Sequence, residues 1–398
     1  MDLTLLPHSL QGTVDAIPSK SMAHRYLICA ALADKPTKIF CHQTSLDMDA
    51  TARCLCALGA TIEKTNYGYF VSPIQKAPTE ATLVCGESGS TLRFLLPIVG
   101  ALGVKGTFLL SGRLAQRPLT SLWEEMERMG CQLLRPTPDS ILCQGKLMAG
   151  AYQISGNISS QFITGLLYAC TLMPGVSSLS ILGTLESAPY VHMTKAALKD
   201  FGISANYDAL HYAYPYHSPE NVIVEGDWSN AAFFLAANAL GSDIKINGLN
   251  KNSAQGDKAV SKILKELSNQ AIIDATDIPD LVPILAVASA AKQGAIFTNI
   301  RRLRMKESDR VASVAAMLTS FGIHVDVAEN QMTVHPGMFK SAQIDTQNDH
   351  RIAMAAAIAA TVADGPVTIT NAQCVEKSYP QFWDIYKQLG GQYEQYIR

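Results

Sequence analysis

The stretch RRLRMKESDR, residues 301–310, places five Lys or Arg side chains in ten residues of a chain that has 32 in 398. Arg dominates the cluster, and its planar fork matches carboxylate and phosphate, whereas a merely solvated face would hold exchangeable Lys and Glu. Lys306 and Arg310 stand four apart with Glu307 and Asp309 between them. Further cations sit where apolar runs begin: Lys20 and Arg25, Arg93, and His350 with Arg351. A helix N-terminus is electropositive, so cations there have the wrong sign unless an anion is held by backbone N–H groups and side chain together. Ser21 and Arg25, four apart, share a helix face. Ser159, Ser160 and Gln161 put three hydrogen-bonding side chains on one helix start. Gly89 in ESGSTLRF lacks the Cβ that would keep a ligand away from the backbone. Asp280 follows Pro279 and opens a helix, while Arg117 in RLAQRPL and Lys377 in VEKSYPQF lie in loops. Residues of these types describe a site for small anions bearing phosphate or carboxylate.

Repeated elements carry them. Segments with a polar start and an almost wholly apolar body begin at Ser19, Glu87, Ser159, Asp227, Ile278 and Asn348. Most are roughly 70 residues apart, the mark of an internal repeat. Each reads as a buried helix with a capped N-terminus. An amphipathic stretch follows each, closing on Gly59, Gly130, Gly202, Gly322 and Gly390, and on Ser268-Asn269 in the fourth copy. Runs such as GTFLLSG, SLSILGT, DIKINGL and GPVTITNA read as strands. AIFTNI before the basic cluster is a strand and VASVAAMLTSFG after it a helix, so the cluster is a strand-to-helix loop. Six such units predict an α/β chain of two domains with three units each. The expected division is residues 1–18 with 226–398 against 19–225.

Composition narrows the partners. The chain is 48% hydrophobic and 17% charged, with net charge -2. No broad positive field is available for nucleic acid or an acidic membrane, and no aromatic cluster accompanies the basic loop. No apolar run is long enough to span a bilayer. The opening MDLTLLPHSLQGTVDAIPSK lacks a cationic stretch followed by an apolar core, so a cytoplasmic location is expected. Nine cysteines without a C-x-x-C pattern read as reduced, buried thiols, and Cys54-x-Cys56 has no second pair to complete a zinc site.

The segments SKSMAHR, ESGSTLRF, QRPL, SSQFITGLL, SAPY, IPDL, RLRMKESDR, DHRIAM and EKSYPQF occur in the order and at the spacing of one family. Over essentially its full length the chain resembles the 5-enolpyruvylshikimate-3-phosphate synthases, the 3-phosphoshikimate 1-carboxyvinyltransferases. The resemblance implies a two-domain inside-out α/β barrel of six βαβαββ repeats, three per domain, with the active site in the interdomain cleft. It implies transfer of the enolpyruvyl group of phosphoenolpyruvate to the 5-hydroxyl of 3-phosphoshikimate, with release of phosphate. That step leads to chorismate and the aromatic amino acids. No cofactor and no metal take part, and a monomer is expected. By match to the motifs, Lys20, Gly89, Arg117, Gln161, Arg310, Arg351 and Lys377 hold phosphoenolpyruvate. Lys20, Ser21, Arg25, Ser159, Ser160, Ser187, Tyr190, Asp280 and Lys306 hold 3-phosphoshikimate. Asp280, Glu307 and Lys20 are the implied acid–base groups of an addition–elimination path through a tetrahedral intermediate.

Glu87 stands where many relatives carry Asn, Arg302 where some carry an Asn that contacts 3-phosphoshikimate, and Trp228 in a place often small. Inhibition by glyphosate, competing with phosphoenolpyruvate, is expected because Gly89 is retained. The sister UDP-N-acetylglucosamine 1-carboxyvinyltransferases carry Lys-Asn near the start and usually Cys on the loop before their Arg-Pro. Here the pair is Lys20-Ser21 and GTFLLSGRLAQRP has no Cys. A non-catalytic anion-binding protein would lack one of Lys20, Asp280, Glu307 or Lys377, and all four are present.

Overall fold

Apolar bodies behind short polar starts become helices that are buried nearly all round. The computed structural model describes residues 1–396. Along them run α1 (Lys20–Ala31), α2 (Leu46–Ala57), α3 (Gly89–Leu102), α4 (Thr120–Arg128), α5 (Ser160–Leu172) and α6 (Ala188–Asp200). They are followed by α7 (Trp228–Ala239), α8 (Val260–Glu266), α9 (Val282–Ala290), α10 (Arg310–Ser320), α11 (His350–Ala360) and α12 (Phe382–Gln388). The odd-numbered helices are the buried ones and the even-numbered ones alternate with them. Side chains cap five of the six buried starts: Ser19, Ser88, Ser159, Asp227 and Asp349 each accept a backbone N–H from the first turn. The exception is α9, whose N-cap is Leu281 with no side-chain cap. Asp280 therefore lies in the turn before this helix and does not open it.

The chain divides into two compact units, Pro18–Val224 and Met1–Ile17 together with the chain from Glu225 onward. Each unit holds three sheets among the described residues. The pattern is plainest where residues 80–86 pair in parallel with 105–110, which pair antiparallel with 140–145, which pair antiparallel with 131–134. Residues 271–274, 295–298, 331–334 and 325–327 repeat it in the other unit. The N-terminal strand, residues 2–6, completes a third copy by lying between 367–370 and 392–396. Residues 11–15 pair with 243–247, and both pairings bind the first residues to the later unit. Two sheets are abbreviated to two and three strands, and the six sheets are separate ladders, not one closed barrel of strands.

Within Pro18–Val224, α3 packs on α5 at short range. A Cβ on Gly165 would stand 2.3 Å from the Arg93 carbonyl oxygen, so only glycine permits that approach. In the other unit α9 and α11 pack together and α7 on both. Among the described residues no helix is long and apolar enough to cross a membrane. Eight cysteines are buried, but Cys56 is exposed on α2, because Cys54 and Cys56 point to different faces of that helix.

Candidate active site

In the Pro18–Val224 unit the anion-seeking residues cluster at helix starts. Lys20 opens α1, and its Nζ lies 2.9 Å from Asp47 Oδ2 at the start of α2. Arg25 is buried, and burial lowers its pKa. Its Nε donates to Thr194 Oγ1 at 2.9 Å, Nη1 to the Ser21 carbonyl at 2.6 Å and Nη2 to the Tyr190 carbonyl at 2.7 Å. Arg25 thus ties Ser21 on α1 to Tyr190 and Thr194 on α6. Ser187, the residue before α6, takes a left-handed φ of 57°. Ser159 caps α5, and Ser160 and Gln161 form its first turn.

Gly89 begins α3, with Arg117 against it. A Cβ there would stand 2.7 Å from Arg117 Nη1 and 3.2 Å from Arg93 Nη1. Arg93 Nη1 donates to Gln161 Oε1 at 2.8 Å, and Gln161 Nε2 donates to Ser90 Oγ at 3.0 Å. Gly89, Arg117 and Gln161 are thus brought together, with Arg93 as the link. Arg93 stood out in the sequence only as a wrong-signed helix cation; its position one helical turn after Gly89 is the signal that marks it.

In the other unit Arg310 opens α10, its side chain fully buried. Its Nε donates to Asp349 Oδ2 at 3.0 Å, Nη1 to Asp280 Oδ1 at 2.8 Å and Nη2 to Glu307 Oε2 at 2.7 Å. Asp280 also accepts from Arg351 Nη2 at 3.0 Å, and Lys306 Nζ lies 3.5 Å from its Oδ1. Three cations therefore surround one carboxylate, and Asp280, Lys306, Glu307, Arg310 and Arg351 form one network. Lys377 Nζ donates to the Asn348 carbonyl at 2.7 Å, in the turn leading into α11. Arg302 Nη2 donates to the Thr276 carbonyl at 3.2 Å.

Charge states follow from burial and neighbours. Burial pushes the Lys306 ammonium down to about 8, with Asp280 opposing the shift. Burial alone would raise Asp349, but the Arg310 guanidinium and His350 hold it below the usual carboxylate range. Arg310 is desolvated too, yet Asp349, Glu307 and Asp280 raise it above the ordinary arginine value.

A family model described as EPSP synthase (3-phosphoshikimate 1-carboxyvinyltransferase) matches residues 6–386. A 3-phosphoshikimate 1-carboxyvinyltransferase of Clostridium beijerinckii is 37% identical, the alignment covering 99% of each chain. That of Clostridioides difficile is 35% identical over 99% of this chain and 98% of its own. The chain belongs to the EPSP synthase family.

A solved EPSP synthase from Acinetobacter baumannii shares the fold at TM-score 0.81 and 23% identity, covering 99% of this chain and 100% of that one. The enolpyruvyl transferase NikO from Streptomyces tendae shares it at TM-score 0.75 and 17% identity, over 99% and 98%. In this EPSP synthase family chain three carboxylates escaped the sequence reading. Asp47 pairs Lys20, and Asp349 both caps α11 and grips Arg310. Asp257 is buried, accepts from Ser229, and is pushed up to about 7 by burial and then by Asp280. Each looks like an ordinary loop or cap residue in sequence; only its neighbours distinguish it.

Proposed function

We propose that this chain transfers the enolpyruvyl group of phosphoenolpyruvate to the 5-hydroxyl of 3-phosphoshikimate and releases phosphate. The observation that carries the reading is the Asp280 carboxylate with Arg310, Arg351 and Lys306 around it. The three cations keep Asp280 ionised, and so able to accept a proton, and they stand where they would neutralise an anion bound beside it; both features support the reading. Asp280 takes the proton of the 5-hydroxyl as its oxygen bonds to the central carbon of phosphoenolpyruvate. The methylene carbon receives a proton from Glu307 or Lys20, giving a methyl group and a tetrahedral intermediate. A methyl proton then returns to the group that supplied it, now its conjugate base, and the double bond re-forms as the carbon–oxygen bond to phosphate breaks and phosphate leaves with the bonding pair. Lys20, Arg117, Gln161, Arg310, Arg351 and Lys377 hold the donor and its leaving phosphate. Ser21, Arg25, Ser159, Ser160, Ser187, Tyr190 and Lys306 hold the acceptor.

Released phosphate measures the reaction. It is expected with phosphoenolpyruvate and 3-phosphoshikimate, and not when UDP-N-acetylglucosamine replaces the acceptor. Release with the sugar nucleotide alone, or in neither case, would overturn the reading.

Gly89→Ala is expected to raise the KM for phosphoenolpyruvate roughly tenfold, about 1.4 kcal/mol of binding, and to weaken glyphosate competition. The new methyl meets the ends of the Arg117 and Arg93 side chains, not backbone, so those guanidinium groups shift and the fold stays. Steady-state kinetics beside a melting curve checks both halves; an unchanged KM would show that Arg117 does not hold the donor.

Lys306 makes a pH prediction. Its charged form binds the acceptor's anion, and deprotonation above about 8 removes that charge. kcat/KM for 3-phosphoshikimate should therefore fall as pH rises through that value, with kcat less affected because the bound anion holds the proton on. Lys306→Arg should move the fall to higher pH; a fall at the same pH would assign it to another group.

A further inference from the structure

The hairpin of residues 325–327 and 331–334 carries a cluster that the transfer reaction does not use. Val325 pairs with Val334, so His324 and His335 are the next residues facing each other across the ladder. Asp326 lies two residues beyond His324 and so on the same face. Its carboxylate sits between the two rings: Oδ1 is 3.2 Å from His324 Nε2 and Oδ2 is 2.7 Å from His335 Nε2. The ring centroids are 4.7 Å apart, and one ligand atom from each of the three residues lies within 4.8 Å of the others.

We propose that His324, Asp326 and His335 form a surface binding site for a divalent transition-metal ion, Zn²⁺ above all. Two imidazole nitrogens and one carboxylate oxygen are the donors that Zn²⁺, Ni²⁺ and Cu²⁺ favour, whereas Mg²⁺ and Ca²⁺ take oxygen sets. Metal–nitrogen bonds of about 2.0 Å require tetrahedral ligand atoms roughly 3.3 Å apart. The three side chains are exposed enough to draw together by small rotations: 71% for His324, 62% for Asp326 and 40% for His335. Three protein ligands leave at least one position open to water or a second ligand. In the metal-free protein the Nε2 atoms donate hydrogen bonds to Asp326; in the bound state each nitrogen gives its lone pair to the metal, with the ring proton carried on the other nitrogen.

The test is calorimetric titration of the full chain with Zn²⁺ at neutral pH. Cys56 is an exposed thiol and a competing ligand, so Cys56→Ser is the background. One equivalent should bind, excess Mg²⁺ should not displace it, and His324→Ala or His335→Ala should weaken it by roughly tenfold or more. The same titration should raise the Tm of the background protein by mass action and leave that of the double His variant unmoved. Metal-free melting curves of the variants should match the background, which separates loss of ligands from loss of fold. Ni²⁺ followed by broadening of the two imidazole NMR signals gives a readout independent of heat. No binding by the background protein, equal binding by the double variant, or equal competition by Mg²⁺ would each overturn the assignment.

Discussion

Asp280→Asn is expected to turn over roughly 10²- to 10⁴-fold more slowly than the parent, the usual worth of a positioned acid or base. Asn has nearly the same shape, so a loss of this size would come from charge and basicity. Its Oδ1 can still accept from Arg310 Nη1, but an amide nitrogen cannot accept from Arg351 Nη2 as Asp280 Oδ2 does at 3.0 Å. The substitution also removes the carboxylate that raises Lys306, so that ammonium falls below its value of about 8. At neutral pH the variant would then suffer twice, through the missing base and a partly neutral Lys306. Kinetics at lower pH separates the two: Lys306 regains its proton and acceptor binding recovers, while kcat stays low. Glu307→Gln should likewise bind both substrates and turn over slowly. Near-normal turnover in either variant would remove that residue from its proposed role.

Arg310→Ala is expected to destabilise the fold by about 3–5 kcal/mol at neutral pH, the cost of breaking a buried charge pair by removing one partner. Arg310 and Asp349 both have side chains with no exposed area, and Ser308 Oγ, 3.0 Å from Asp349 Oδ2, cannot supply the missing charge. The sign with pH follows. In the parent the folded pKa of Asp349 is depressed, so its contribution is present above the unfolded value of about 3.9 and is lost as pH falls through the lower folded value. Without Arg310 burial dominates and raises that pKa, so the penalty is full at neutral pH and shrinks on acidification. Urea midpoints for parent and variant at pH 7 and 5 check this: the gap should narrow at the lower pH. If the single variant is too unstable to purify, Arg310→Ala with Asp349→Asn should recover much of the loss. A gap below about 1 kcal/mol, or one independent of pH, would show that water reaches Asp349 and the pair is not dry.

Helices, caps and the repeat were legible because they are local. Ser19, Ser159 and Asp227, where the sequence puts three of the starts, bond backbone groups only two or three residues ahead, as do Ser88 and Asp349, each one residue beyond the starts read at Glu87 and Asn348, and apolar periodicity is read within a few turns. Residue types limited the chemistry as well, since Arg forks, helix-start Gly89 and near-neutral net charge point to small anions without any coordinates. Pairings were not legible. Arg310 meets Asp349 across 39 residues, Arg93 meets Gln161 across 68, and Arg351 meets Asp280 across 71. Nothing local distinguishes Asp349 from any other capping aspartate, or Asp257 from a loop carboxylate. The strand at residues 2–6 gives no sign that it will lie between 367–370 and 392–396. By itself, then, the sequence determined most of the elements and their sixfold recurrence, because these depend on neighbours along the chain, and its residue types pointed to small anions as the class of ligand. Only the tertiary structure decided which carboxylate holds which cation, and hence which groups are dry, charged and aimed, because those properties arise where distant segments meet.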